Sequence, residues 1–188
     1  GVESMPSRRI RELIESALVE LPPAPVLAAF SGGLDSTVLL HALAQSPSAR
    51  ARGLRAIHVD HGLHDDSAAW ARHCRTVAAA LDVELIVRTL GAPLRRTGLG
   101  LEASARRARY GEIETQLAPG ELVALAHHRD DQAETVLLKL LRGAGPEGLA
   151  AMRPLRNLGR GFLWRPLLGV GRAGLREYAD SQQLSWIT

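Results

Sequence analysis

Two polar clusters in this sequence have residue types and spacing suited to chemistry. The first is Ser31–Ser36, reading SGGLDS. Gly32 and Gly33 lack Cβ atoms, so a ligand can approach the backbone closely and positive φ carries no penalty. An apolar run at 26–30 leads in, and an apolar-periodic stretch at 37–43 leads out. That pattern reads as strand, tight turn, helix. N–H groups of the turn and of the helix start converge on one spot, and the helix macrodipole adds partial positive charge. Such a spot suits a phosphate. Ser31, Gly32, Gly33, Leu34, Asp35 and Ser36 together form the candidate phosphate loop, with hydroxyl donors from the two serines. Asp35 has the wrong charge for bare phosphate. It makes sense if a divalent cation accompanies the phosphates, because hard cations take carboxylate oxygens. A merely polar turn is the bland alternative. At roughly 7 % usage per residue type, five specified positions arise by chance in about one chain of this length in several thousand. The functional reading therefore leads. The turn lacks the GxxxxGK[ST] spacing of the usual P-loop.

The second cluster opens the stretch AHHRDDQAETVLLKLLRGAGPEG at 126–148. His127, His128, Asp130, Asp131 and Glu134 crowd one expected strand-to-helix junction. Asp131 and Glu134 are three apart and share a helix face. A capping box with Asp in place of Ser or Thr explains that pair, but not the histidines and Asp130. The residue types would also suit a metal hydrolase. No HExxH is present, however, and SGGLDS would then be idle.

Weaker candidates surround these two. Glu102, Arg106 and Arg109 share a helix face. They are either an exposed Glu–Arg pair worth about 0.3 kcal/mol, or place one Arg on phosphates to neutralise charge as a leaving group departs. His58 and His61 follow the second strand, where a nucleotide base could lie. A structural histidine bonded to a loop is an equal alternative. Trp70, Trp164 and Trp186 read as packing.

The elements that must position these groups alternate. A first helix runs from a Ser7 cap to about residue 21, ended by Pro22, Pro23 and Pro25. Strands are expected at 26–30, 54–59, 84–90 and 122–126, with a short fifth at 162–164. Helices are expected to about residue 45, then at 67–81, 101–117, 130–142 and 172–183. Residues 46–53 read as a plain connection. The glycine-bearing stretches 91–100 and 143–148 read as loops, the first either a mobile loop near the site or, equally, an ordinary surface connection. Strands alternating with helices imply α/β architecture, a doubly wound parallel sheet with helices on both faces. Ligands of such sheets sit at the carboxyl ends of the strands, at the switch point. The loop at 31–36, the stretch 58–63 and the cluster at 127–131 all follow strand ends. One domain, 23–188, preceded by the helix within 1–22, accounts for the chain.

Bulk properties bound the answer. The 188 residues suffice for one domain with a real core. Net charge is +3 with pI near 9.7, compatible with an anionic partner such as RNA. Of 23 Lys+Arg residues only Lys139 is lysine. Cys74 is the one cysteine, so no disulfide and no multi-cysteine metal or iron–sulfur site can form within these residues. The apolar stretches are short and interrupted by charge, which predicts no membrane span.

SGGLDS resembles the pyrophosphate-binding PP-loop of the ATP-pyrophosphatase superfamily, whose members cleave ATP to AMP and pyrophosphate while adenylating an acceptor. The second stretch narrows the resemblance. It is similar to the AHHxDDQxET…LLRGxGxxGLxxM signature of tRNA(Ile)-lysidine synthases, with Leu149 and Met152 completing the pattern. HVDHGL at 58–63, EASARRARY at 102–110 and RPLL at 165–168 agree. The resemblance spans about residues 26–186.

The resemblance implies a ligase. ATP adenylates the 2-oxygen of the wobble cytidine of tRNA(Ile) with a CAU anticodon, releasing pyrophosphate. The amine of free L-lysine then displaces AMP and gives lysidine. It also implies roles. Ser31–Ser36 would hold the ATP phosphates, with Asp35 at Mg²⁺. His127 and Asp131 would contact the lysine and help its amine lose a proton. Glu134 would hold the cytosine, and Arg106 or Arg109 the phosphates. A cytoplasmic protein is expected, with a homodimer admitted and no membrane partner. In that family the chain continues past the segment matching 184–186, so its C-terminal parts are expected to lie outside these residues. The rivals within the superfamily are tRNA thiolases, GMP synthetase and NAD synthetase. Sulfur-transfer members usually use additional cysteines, and the synthetases lack the AHHxDDQxET segment. A catalytically idle nucleotide- or RNA-binding module is the rival of another class. Intact Asp35, His127, Asp131 and Glu134 count against it.

Overall fold

The computed structural model describes residues 5–60, 62, 66–90, 101–128 and 155–188, leaving out the side chains of 101–107 and of residue 156. The first helix, α1 (Met5–Glu20), buries Ile10, Ile14 and Leu18 at helical spacing. It starts two residues before the expected Ser7 cap. Pro6 sits in the first turn, where a missing N–H costs nothing. Ser7 lies inside the helix, buried, with its Oγ 2.9 Å from Ser181 Oγ.

The chain then alternates. Strand β1 (Val26–Ala29) is followed by α2 (Leu34–Ala44), α3 (Pro47–Arg52) and β2 (Leu54–Asp60). Next come α4 (Ser67–Ala80), β3 (Glu84–Thr89), α5 (Leu101–Thr115) and β4 (Leu122–Ala124). The hairpin β5 (Leu155–Leu158) and β6 (Gly161–Trp164) precedes α6 (Arg172–Ser181). Two elements depart from the expected layout. The stretch read as a plain connection contains α3, whose start is signalled by Pro47 in the first turn and by Ser46 Oγ accepting the Ala49 N–H at 3.1 Å. The short strand near 162–164 exists as β6, but it pairs antiparallel with β5, which had not been expected. The expected helix at 130–142 and the loops at 91–100 and 143–148 lie outside the described residues.

The six-stranded sheet has the order β3-β2-β1-β4-β6-β5, and every neighbouring pair but β5–β6 is parallel. From β1 the chain steps outward through β2 to β3, then returns to the other side of β1 with β4. The switch point lies between β1 and β4. Period-two alternation sends residues to opposite faces. Val26, Ala28, Ala56, Leu122 and Ala124 meet the larger core with Ile14, Leu39, Cys74 and Tyr178. Leu27, Ile57, Val123 and Leu163 meet Ile113 of α5 and Leu117 just after it on the other face. Helices therefore cover both faces, as the α/β reading required. Among the described residues no helix is long and apolar enough to cross a membrane.

One buried ion pair anchors the sheet end opposite the switch-point rim. Glu121 is 1 % exposed and receives Arg55 Nε at 2.9 Å and Arg55 Nη2 at 2.6 Å, plus the Ala118 N–H at 3.0 Å. A carboxylate so fully paired avoids the penalty of a lone buried charge. Gly161 is required beside it, since a Cβ there would stand 2.2 Å from the Glu121 carbonyl oxygen.

A second buried polar pair joins α2 to α6. His41 Nδ1 lies 2.7 Å from the Tyr178 hydroxyl, the rings meeting edge to face at 5.5 Å. Burial, with the positive charge of Arg11 adding to it, pushes the His41 pKa below its usual value. The folded protein thus keeps His41 neutral where the unfolded chain would protonate it. This contribution to stability is present above about pH 6.5 and is lost as pH falls through the unfolded value towards the lower folded one. The urea midpoint of wild type should therefore fall between about pH 8 and about pH 5 more steeply than that of His41→Gln. Parallel slopes for the two proteins would remove His41 from the account.

Candidate active site

The SGGLDS turn leaves β1 at the switch point and runs directly into α2, with Gly33 as N-cap and no side-chain cap bond. Gly32 has φ +94°, a conformation that glycine adopts freely. The turn is tied from within. Ser36 Oγ accepts the N–H groups of Ser31 at 3.1 Å and Gly32 at 3.2 Å. It also lies 3.0 Å from Ser31 Oγ. Two of the donors expected to converge on a phosphate are thus engaged by Ser36. The first-turn N–H groups of α2 have no intrahelical acceptor by construction.

The turn is also held from outside. Ile187 N–H donates to the Gly32 carbonyl at 2.8 Å. A Cβ on Gly32 would lie 3.1 Å from Cys74 Sγ and 3.2 Å from Ile187 Cδ1. Cys74 is buried, and desolvation pushes its pKa up to about 11 despite the nearby charge of Arg75. It is a packing thiol, not a nucleophile.

His58 lies beneath the same turn. It is 5 % exposed, with Nδ1 2.9 Å from the Phe30 carbonyl oxygen and 3.5 Å from Cys74 Sγ. Its ring joins the ends of β1 and β2 and the side of α4. This geometry is that of a histidine bracing the loop.

The β4 end meets the loop across the switch point. His128 is 1 % exposed, and its Nε2 stands 3.2 Å from Asp35 Oδ2. The Asp35 side chain remains 38 % exposed at the start of α2. A partly exposed carboxylate beside helix-start N–H groups suits a cation that arrives with phosphates, so the residues present fit Mg²⁺. Among the described residues no group of three or more His, Cys, Asp or Glu could hold a metal on its own.

The next β4-end residue inward, His127, accepts a hydrogen bond at Nδ1 from Arg165 Nε at 3.0 Å. Arg165 had drawn notice only as part of RPLL. The strand before it was expected, but not the neighbour of that strand, and only the β4–β6 pairing brings Arg165 here. Arg109, on α5, is half-buried. Asp131, Glu134, His61 and the Arg106 side chain lie outside the described residues.

Comparison with known proteins agrees with this geometry. Residues 3–188 match the family description of a PP-loop domain. A protein of Xanthomonas campestris named tRNA(Ile)-lysidine synthase is 59 % identical over 167 residues, covering 88 % of this chain and 38 % of its own length. Proteins of the same name from Alkalilimnicola ehrlichii and Pseudomonas putida are 54 % and 51 % identical, over 88 % and 85 % of this chain and 37 % of theirs. The chain thus spans less than two-fifths of the length of these relatives. Among solved structures, the U34-tRNA thiolase NcsA from Methanococcus maripaludis superposes with TM-score 0.73 at 18 % identity, over 96 % of this chain and 65 % of its own. An NH3-dependent NAD synthetase from Campylobacter jejuni gives 0.62 at 15 %, over 95 % and 72 %. At such identities these two speak for the fold alone.

The contact at Gly32 yields a test. Gly32→Ala adds the cost of a positive φ, about 1–2 kcal/mol, to a clash with Cys74 Sγ. Cys74→Ala opens that space. In a double-mutant cycle on urea-unfolding free energies, the two substitutions together should cost less than the sum of their separate costs. Strict additivity would show that no clash exists.

Proposed function

We propose, from the premise that this chain belongs to the PP-loop family, that it forms the catalytic domain of a ligase that joins free L-lysine to the 2-position of the wobble cytidine in tRNA(Ile) with a CAU anticodon. The observation that carries this reading is the 59 % identity to a protein of that named activity. The meeting of Asp35 with His128 of the β4 end at one rim supports it. ATP adenylates the cytidine 2-oxygen and pyrophosphate leaves. The lysine side-chain amine attacks the ring carbon, and the C–O bond to AMP breaks. The proton lost by the amine passes to an acidic side chain, and Asp131 is the candidate. Ring oxygen alone is a poor leaving group, and adenylation turns it into phosphate. The lysine carboxylate needs no activation, since it stays free in the product.

The chain's own residues divide the work. The first turn of α2 and the Ser31 and Ser36 hydroxyls bind phosphate oxygens. Asp35 would hold a Mg²⁺ ion, which would supply positive charge against the phosphates. His128 fixes the Asp35 carboxylate by its contact at Oδ2. Glu134 accepts from the cytosine amino group, and Arg106 or Arg109 draws charge from the phosphates. Cys74 takes no part. A sulfur-transfer chemistry resembling that of a thiolase has no second cysteine among these residues to use.

The deciding experiment is nucleoside analysis of tRNA(Ile) with a CAU anticodon after incubation with the full-length protein, ATP and lysine. Lysidine is expected, and its absence with active ATP turnover would point to another acceptor. Asp35→Ala should lose Mg·ATP-dependent turnover by about two orders of magnitude or more, the scale of one key electrostatic stabiliser, while staying folded. Wild-type turnover in that variant would remove the metal role. The order of steps is also open to measurement. With α-³²P-labelled ATP, label should reach the tRNA without lysine, whereas lysine alone should not drive pyrophosphate exchange. Exchange that needs only lysine would mean that the amino acid is activated.

A further inference from the structure

Arg165 is a buried cation, 5 % exposed, at the first position after β6. A buried charge needs partners, and one partner here is a histidine. Ala124 of β4 is in register with Trp164 of β6, and the Leu125 N–H donates to the Trp164 carbonyl at 2.8 Å. His127 and Arg165 therefore leave neighbouring parallel strands side by side, and Arg165 Nε reaches His127 Nδ1 at 3.0 Å.

The direction of this bond is fixed by chemistry. A guanidinium has donors only and stays protonated. Nδ1 must accept, so it carries no proton. A neutral imidazole has one N–H, which then belongs to Nε2. A doubly protonated ring would set two donors against each other with a positive charge 3.0 Å away.

We infer that Arg165 is a positioning residue that holds His127 in its Nε2–H form, so that His127 donates a hydrogen bond to a substrate oxygen and does not take up a proton. This rests on the ligation proposed above for the identity of that oxygen. The shared chemistry is an anionic oxygen, of the lysine carboxylate or of an ATP-derived phosphate. Removal of the amine proton then belongs to a carboxylate.

The test uses the full-length protein with ¹⁵N-labelled histidine. His127 is assigned by the resonance lost in His127→Gln. Long-range ¹H–¹⁵N correlations should show a protonated Nε2 and a bare Nδ1 in wild type, and a changed tautomer population in Arg165→Met. His127→Gln keeps an N–H donor but has no basicity. It should retain lysidine formation within about tenfold, whereas loss of a general base costs about 10²–10⁴-fold. Arg165→Met should raise KM for lysine but not for cadaverine, which lacks the carboxylate, if the lysine carboxylate is the acceptor. It should raise KM for ATP if a phosphate is. A proton on Nδ1 in wild type, a folded His127→Gln enzyme slowed more than about a hundredfold, or unchanged KM for both substrates in folded Arg165→Met would each overturn the inference. If Arg165→Met fails to fold, the wild-type spectrum and His127→Gln still decide. If no lysidine forms with any protein, the proposed ligation falls, and the wild-type tautomer alone decides the role of Arg165.

Discussion

The parallel pairing of β1 with β4 is the constraint on which the site depends. Val26, Leu27 and Ala28 are in register with Leu122, Val123 and Ala124, and all six are buried. The pairing fixes where two strand ends emerge. One end feeds the SGGLDS turn and the other feeds His127 and His128. Their proximity follows from backbone hydrogen bonds, not from any side-chain attraction at the rim. The contact between His128 and Asp35 is then a consequence of topology. The same logic extends one strand further, because β6 pairs with β4 and delivers Arg165 beside His127. Two contacts between residues far apart in sequence are thus owed to one sheet.

The phosphate loop carries its own framework. Ser36 Oγ gathers the N–H groups of Ser31 and Gly32, while Ile187 holds the Gly32 carbonyl and Cys74 closes the space above its α-carbon. These contacts preset the left-handed Gly32, so ordering of the loop is not left to the ligand. They also set a competition. A phosphate oxygen that takes the Ser31 or Gly32 N–H must draw it from Ser36, whose hydroxyl can rotate towards the same oxygen. The net gain from such an exchange is smaller than that from an unengaged donor, since a bond is replaced and not added. The first-turn N–H groups of α2 have no such internal rival within the helix.

The legible parts of the sequence were those governed by short-range rules. Two glycines between an apolar run and an apolar period announced the turn, and strands alternating with helices announced a sheet covered on both faces. The helix α3 was missed: Ser46 and Pro47 signal its start, but the run of small and charged residues after them gives almost no apolar period. Long-range partners were not legible. Nothing near Arg165 in sequence shows that it faces His127, because that pairing depends on which strand becomes the neighbour of β4. Nor does the sequence near His58 reveal that its ring turns to the Phe30 carbonyl. Ser7 had the type of a cap but lies inside α1, since the residues before it were already able to form a turn around Pro6.

Charge at the rim divides by what each group can exchange. The arginines cannot give up a proton and serve only to attract and orient anions. A histidine can do either, and its neighbours decide which. His128 faces a carboxylate, so its Nε2 carries a proton to make that contact attractive. His127 faces a guanidinium and must accept at Nδ1. Adjacent in sequence and alike in type, the two rings are thus oriented by partners of opposite charge, and in both the donor is Nε2. In His127 the nitrogen without a proton is the one that Arg165 engages. Sequence places Asp130, Asp131 and Glu134 immediately beyond these histidines.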